Sequence, residues 1–247
     1  NVSIIRILVS SNNLIYITGA LYDVNGSDVN GSADLNPDSN VDEIITNNLE
    51  TDETGFVLCL DENGNYLWSK HLYVSTPYLS GVEIINFKIL DQDELLFSIY
   101  VDTDEYGDFE FGSGQTIDIP DEQDGCLLIK TDAYGNIIFS NLFDGSFYNP
   151  YFIMEFAQKE NGDIITVGRI GAGSDIDPDP LNVVIPSDTL TLDVIAHFDN
   201  NGNYLNHYPY DLVGEIDASG SNVTKFKLMD IEVDSNQDIC VVGQIYD

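Results

Sequence analysis

The chain has 247 residues, and its 43 acidic, 8 basic and 3 histidine side chains give a formal net charge of −35. This charge argues against the classes of protein that bind nucleic acids or anionic lipids through basic surfaces. The chain is nevertheless 43% hydrophobic and 11% aromatic, which predicts a folded protein with a sizeable core. No apolar stretch reaches the roughly 18 residues of a membrane span, so we expect no membrane insertion.

The predicted elements begin with two apolar runs, at residues 4–9 and 13–19, joined by a polar turn. An acidic loop follows at 32–38, and a second pair of runs spans Gly55 to Lys70 around Asn63-Gly64. Continuous apolar runs of this length are typical of buried strands, and Asn-Gly favours a two-residue type I′ hairpin. One unit is therefore predicted to be two hairpins, or four strands.

The same unit recurs further along the chain. Gly64, Gly135 and Gly202 mark the turn of its second hairpin and lie 71 and then 67 positions apart. The first hairpin recurs around 82–100, 151–168 and 226–243. The predicted repeats are approximately 1–75, 76–147, 148–214 and 215–247.

Four short antiparallel strands in a repeat of about 70 residues are typical of a β-propeller blade. The chain holds three such repeats plus one hairpin, whereas a closed propeller needs at least about four blades. We therefore predict an all-β fold in which residues 1–247 form one partial propeller domain. It is expected to be an incomplete ring or a fragment, and to belong to a longer polypeptide.

The order of signals in each unit resembles a known repeat family. A strand ending in Thr-Gly or Val-Gly is followed by an acidic loop and then by a hairpin with Asn-Gly-Asn and an aromatic residue. The best-matching segments are Ser32–Asp38, Gly55–Lys70 and Gly173–Pro180. This pattern is similar to the bacterial seven-bladed β-propeller repeat family, which occurs in large secreted surface proteins. The resemblance implies an extracellular or bacterial cell-surface location and a role in binding protein or glycan partners, and it implies no catalytic residues.

The two acidic loops place oxygen-bearing side chains at alternate positions, a spacing that calcium loops use because the ion takes six to eight oxygen ligands. Neither loop has the 12-residue length and final glutamate of an EF-hand. A solvated loop whose aspartates cap its own turns is the alternative. The candidate calcium ligands are Asp34, Asn36, Asp38, Asp175, Asp177 and Asp179.

No catalytic motif stands out, and no cofactor is required by the sequence. The histidines, His71, His197 and His207, lack metal-binding spacing, and nothing singles out a pair of carboxylates for glycoside cleavage. A quinoprotein-like enzyme is a weak alternative, because the repeats of quinoprotein propellers carry a tryptophan in most blades and Trp68 is the single tryptophan of this chain. We therefore expect a non-enzymatic module, with a calcium-stabilised, carbohydrate-binding propeller as the alternative.

The cysteine and aromatic side chains allow two further predictions, one on burial and one on ligand binding. Cys59, Cys126 and Cys240 lie in apolar runs and are predicted to be buried small hydrophobes, not disulfide partners. Sugar rings pack on aromatic faces, so aromatic residues outside the strands offer a candidate binding rim. This predicted rim consists of Tyr73, Tyr78, Phe147, Tyr148, Tyr151, Tyr208 and Tyr210.

Overall fold

The computed structural model describes residues 2–22, 32–38, 40–46, 53–74, 81–102, 107–112, 116–119, 125–144, 152–187, 192–210 and 225–246. The fold is all-β, as the sequence predicts, and these residues contain no α-helix, only a 3₁₀ turn at Asp91–Asp93. None of their helical segments is long and apolar enough to cross a membrane. The chain divides into two compact units, residues 1–142 and 143–247.

In chain order the strands are β1 (Val2–Val9), β2 (Ile15–Tyr22), β3 (Ser32–Asp34), β4 (Ile44–Thr46), β5 (Glu53–Leu60), β6 (Tyr66–Val74), β7 (Gly81–Ile89), β8 (Leu95–Asp102), β9 (Gly107–Phe111), β10 (Thr116–Ile119), β11 (Gly125–Thr131), β12 (Ile137–Asp144), β13 (Phe152–Gln158), β14 (Ile164–Ile170), β15 (Leu192–Phe198), β16 (Tyr204–Tyr210), β17 (Lys225–Val233) and β18 (Ile239–Tyr246).

These strands form repeated antiparallel sheets. Sheet I has the order β1-β2-β5-β6-β9-β10, sheet II is β7-β8-β11-β12, and sheet III is β13-β14-β15-β16. Sheet IV is the hairpin β17-β18, and β3 pairs with β4. The predicted pair of hairpins is thus a four-stranded meander in sheets II and III. In sheet I the same meander is extended when β9, from the next repeat, pairs with β6.

The first strand of each of sheets I to IV carries a bulge at the same place. The pairing shifts by one residue after Ile4, Ile84, Ile153 and Leu228. In sheets I, III and IV the residue paired with the position before the bulge is a glycine, at Gly19, Gly168 and Gly243 respectively. The glycine of the Thr-Gly and Val-Gly signature therefore faces a backbone irregularity, and at Gly19 there is no room for a side chain, because a Cβ would lie 2.3 Å from the Ser3 carbonyl oxygen.

The second hairpins do not use the predicted two-residue turn. Asp61 N donates to the Asn65 carbonyl, Gly64 N donates to the Asp61 carbonyl, and of the central residues only Gly64 has a positive φ, +81°. This is a three-residue loop, a type I turn followed by a left-handed glycine. The Tyr134-Gly135 and Asn201-Gly202 turns have the same hydrogen bonds. The type I′ prediction was wrong because Asn63 keeps a negative φ.

The cores lie between neighbouring sheets within each unit. In unit 1, Tyr16 and Val57 of sheet I pack in one buried cluster with Phe87, Phe97 and other residues of sheet II. In unit 2, side chains of sheet III form a second cluster with Leu228 and Ile231 of sheet IV.

The three cysteines are free thiols, as expected, but only two of them are buried. Cys59 and Cys126 lie on interior strands of sheets I and II. Cys240 is exposed, contrary to the prediction. It lies on β18, which among the described residues pairs only with β17, so the apolar run around it is less covered than the corresponding run in β14.

Candidate functional site

The first acidic loop, residues 34–38 and 40–43, is held by hydrogen bonds of its own side chains. Asp34 Oδ1 accepts hydrogen bonds from the backbone N–H groups of Asn36 (3.0 Å) and Glu43 (2.9 Å). Asn36 Oδ1 accepts from Asp38 N at 2.9 Å, and Asp38 Oδ1 accepts from Asn40 N at 3.0 Å. Each polar side chain therefore caps the backbone two residues ahead, which gives the loop a fixed shape.

The second acidic loop, residues 175–184, repeats this frame in unit 2. Asp175 Oδ1 accepts from Asp177 N (3.0 Å) and Val184 N (2.8 Å). Asp177 Oδ1 then accepts from Asp179 N, and Asp179 Oδ1 accepts from Leu181 N, both at 3.0 Å. The alternate spacing noticed in the sequence thus corresponds to one loop structure that occurs twice.

The structure describes all six predicted calcium ligands. In each of them one side-chain oxygen accepts a hydrogen bond from a backbone N–H, which is the turn-capping role that the sequence analysis gave as the alternative. Within the described ranges, no group of three or more His, Cys, Asp or Glu side chains is arranged to hold a metal ion. Calcium binding by these loops stays a prediction.

The turn of the β5–β6 hairpin lies beside the first acidic loop and is equally well ordered by hydrogen bonds. Asp61 Oδ1 accepts from the backbone N–H groups of Asn63 and Asn65, both at 2.8 Å. Asp61 Oδ2 accepts from the side-chain amide of Asn65 at 2.7 Å. The hydrogen bonds from the Asn65 side chain and backbone lower the pKa of the Asp61 carboxyl. The turn is therefore stabilised most when Asp61 is ionised.

A cleft of about 320 Å³ opens between this turn and the first acidic loop. We call it the loop–turn cleft. Its lining combines short polar side chains, one carboxylate and one aromatic ring, from residues that are far apart in the sequence. The lining residues are Asn36, Pro37, Asp38, Gly64, Asn65 and Tyr66.

Tyr66 anchors the loop–turn cleft to the sheet. It begins β6 and packs against a buried cluster that includes Leu35 of the acidic loop. Its hydroxyl lies 3.2 Å from Ser69 Oγ, which in turn donates to Glu43 Oε1 at 3.4 Å. Burial raises the pKa of Tyr66, so the phenol is neutral at physiological pH. Acidic loop and hairpin are therefore joined by an apolar contact and a hydrogen-bond chain.

Unit 2 contains an equivalent tyrosine, Tyr204, at the position of Tyr66. Two neighbouring residues differ, because Asp177 stands at the position of Asn36 and His207 stands at the position of Ser69. The hydroxyl of Tyr204 lies 2.5 Å from Nδ1 of His207. Burial, followed by the nearby charge of Asp177, raises the pKa of Tyr204, and burial lowers the pKa of His207. The second acidic loop therefore also lies close enough to a tyrosine for its charge to act on the phenol, and Asp177 adds a negative charge where the first loop has Asn36.

A lysine–glutamate ion pair and a histidine–aspartate hydrogen bond inside the sheets were not predicted from the sequence. Lys130 Nζ lies 2.7 Å from Glu94 Oε2, and its side chain is only 1% exposed. His197 Nε2 lies 2.9 Å from Asp163 Oδ2 at the corresponding place in sheet III. The only sequence signal was the shared position of Lys130 and His197, two residues before the aspartate of the turn.

Most of the predicted aromatic rim falls outside what the structure describes. Tyr208 is exposed, at 55% of its surface, on β16. The side chains of the other members lie outside the described part of the structure, and these are Tyr73, Tyr78, Phe147, Tyr148, Tyr151 and Tyr210. Tyr66, in contrast, begins strand β6, and only the fold shows that it borders a cleft.

Comparison with known protein families finds no family that matches the chain. Comparison with curated proteins finds no similar protein either.

Proposed function

We propose that this chain is a set of β-propeller blades, similar to the seven-bladed repeat family, that serves as a non-enzymatic secreted or cell-surface module for binding protein or glycan partners. The fold part of this proposal is supported by the meander of four antiparallel strands in sheets I, II and III. It is also supported by the bulge that recurs in the first strand of sheets I to IV. Repeated sheets that pack face to face within each unit are typical of adjacent blades.

The exposed face of β1 adds support for a further blade in the whole protein. Val2, Ile4, Ile7 and Val9 are between 47% and 62% exposed on this edge strand. A contiguous apolar stripe on a sheet is normally covered by another layer. In the proposal, a further blade covers it in the same way as sheet II covers the other face of sheet I.

The loop–turn cleft is the observation that carries the recognition role. Its walls are a loop and a turn whose backbones are fixed by side-chain hydrogen bonds, so a ligand would meet a preorganised surface. Binding sites are commonly concave and carried by loops on a rigid scaffold. The net charge of −35 favours partners that are neutral or basic over anionic ones.

A binding screen tests this function directly. The purified chain would be applied to an array of glycans and to immobilised surface proteins at physiological salt, with heat-unfolded chain as the control. Saturable binding that the unfolded chain lacks is expected. Absence of binding to every glycan and protein, or turnover of a glycan by the chain, would contradict the proposal.

A further inference from the structure

The size of the loop–turn cleft limits what it can hold. At about 320 Å³ it lies at the lower end of the range for small-molecule sites, roughly 300–1,000 Å³. A protein partner would instead bury about 800 Å² of a flatter surface. The cleft therefore suits one small unit, such as a single sugar ring of a longer glycan.

The lining of the loop–turn cleft matches the chemistry of hydroxyl groups. Asp38 accepts hydrogen bonds from Asn40 through Oδ1, and no group among the described residues donates to its Oδ2. Asn36 uses its Oδ1 in the loop, and no group among the described residues accepts from its Nδ2. A sugar hydroxyl both donates and accepts, so a carboxylate and an amide donor side by side can satisfy it.

Tyr66 supplies the apolar part of the same cleft. Its ring is half-buried and fixed from below by the cluster around Leu35, so it loses little conformational freedom when a ligand binds. The carbon–hydrogen face of a sugar ring packs on such an aromatic surface. An aliphatic ligand would leave the polar groups of the lining without partners.

The negative charge of the cleft favours uncharged sugars over anionic ones. Asp38 is fully exposed, and the backbone and side-chain hydrogen bonds from Asn40 lower its pKa, so the cleft carries a carboxylate at neutral pH. The formal net charge of the whole chain, −35, adds to the negative potential at the cleft. A uronic acid or sulfated sugar would be repelled, while an uncharged sugar would not.

We propose that the loop–turn cleft binds one uncharged sugar unit of a glycan, with Asp38 and Asn36 holding hydroxyl groups and Tyr66 packing against the ring. This inference rests on the proposed recognition function and specifies its ligand.

Gly64 provides a way to block the cleft without removing a binding group. A Cβ at Gly64 would meet nothing within 4 Å, so a larger side chain there has free space to enter. Gly64 has a φ of +81°, a conformation that asparagine tolerates better than other residues. Gly173 is a matched control, because its φ is +79°, it also has nothing within 4 Å, and it does not line the cleft.

The test is an NMR titration of the ¹⁵N-labelled chain with the methyl glycosides of glucose, galactose, mannose and N-acetylglucosamine, and with methyl glucuronide. At least one neutral glycoside should shift the amide signals of Gly64, Asn65 and Tyr66 saturably. Gly64→Asn should weaken that binding at least tenfold, Gly173→Asn should leave it unchanged, and methyl glucuronide should bind at least tenfold more weakly. Thermal unfolding of both variants would verify that they are folded.

Two results would overturn the inference. One is that no neutral glycoside shifts these amides, and the other is that glucuronide binds as well as the neutral sugars. A chain that binds partners in the array screen but shows unchanged cleft amides would refute the sugar site and leave the recognition function standing. A chain that binds nothing in either experiment would refute both.

Discussion

Replacing Gly19 with alanine tests whether the recurring Thr-Gly signature is there for steric reasons. A Cβ at this position would lie 2.3 Å from the Ser3 carbonyl oxygen and 2.5 Å from Cζ of Phe56. Both distances are well below normal contact. The oxygen belongs to β1, and Phe56 is 1% exposed, so neither group can move aside without disturbing the strand pairing or the core.

The expected loss follows from these two contacts. Overpacking a core costs about 1–3 kcal/mol, and shifting β1 weakens ladder hydrogen bonds worth about 1 kcal/mol each. Gly19→Ala should therefore lower the free energy of unfolding by about 3 kcal/mol, a large fraction of the roughly 5–15 kcal/mol of a domain. Gly64→Ala is the control, since its Cβ is unobstructed and only its φ of +81° is unfavourable, at about 1 kcal/mol.

Urea unfolding followed by tryptophan fluorescence measures both losses. Trp68 is the single tryptophan of the chain, and its indole N–H donates to the Ala133 carbonyl at 3.1 Å, so its emission reports on unit 1. The midpoint for Gly19→Ala should fall by about 1 M urea or more. A loss no larger than that of Gly64→Ala would refute the steric explanation for the glycine.

Three further predictions follow from the charged groups. Glu94→Ala should lower the free energy of unfolding by about 3 kcal/mol, because it removes the carboxylate that pairs with the buried Lys130 side chain. Lys130→Met, which removes the buried charge itself, should lower it by at most about 1 kcal/mol. Equal losses in urea unfolding would contradict this difference. The folded-state pKa of Asp61 lies below its unfolded value of about 3.9, so its stabilisation is present above that pH and is lost as the pH falls towards the folded pKa. The melting temperature of Asp61→Asn should accordingly fall less than that of the parent chain between pH 5 and pH 2, and parallel curves would show that the turn carboxylate has no such role. Finally, the calcium hypothesis for the two acidic loops predicts that millimolar calcium raises the melting temperature by several degrees over chelator at fixed ionic strength, and an unchanged value would leave these loops as solvated turns.

The fold class could be predicted because its signals are local. Apolar runs such as the one within residues 163–168 predict buried strands, and polar turns at regular intervals predict hairpins. The repeat of two hairpins then follows from the recurring glycines. The turn type could not be read in the same way, because Asn63 is compatible with either sign of φ and the hydrogen bonds of Asp61 decide between them.

The local parts of the candidate site could also be predicted from the sequence, whereas their arrangement in space could not. The acidic loops and the Asn-Gly-Asn turn are each visible in the sequence, and so is their capping chemistry, because those hydrogen bonds join residues two to nine positions apart. Their meeting around one cleft is not visible, because it brings Asn36 beside Asn65 across intervening chain. The same holds for the pair of Lys130 and Glu94, which only the register of β8 and β11 brings together.

The sequence by itself therefore determined the all-β class, the strand order within a repeat and the acidic character of the surface, since these depend on periodicity, turn residues and charge. Only the tertiary structure shows which sheet faces are covered, why no side chain larger than that of glycine fits at Gly19, and where the cleft that could admit a ligand lies. Those properties depend on distances between residues remote in the chain, which are fixed by strand register and by the packing of one sheet on another.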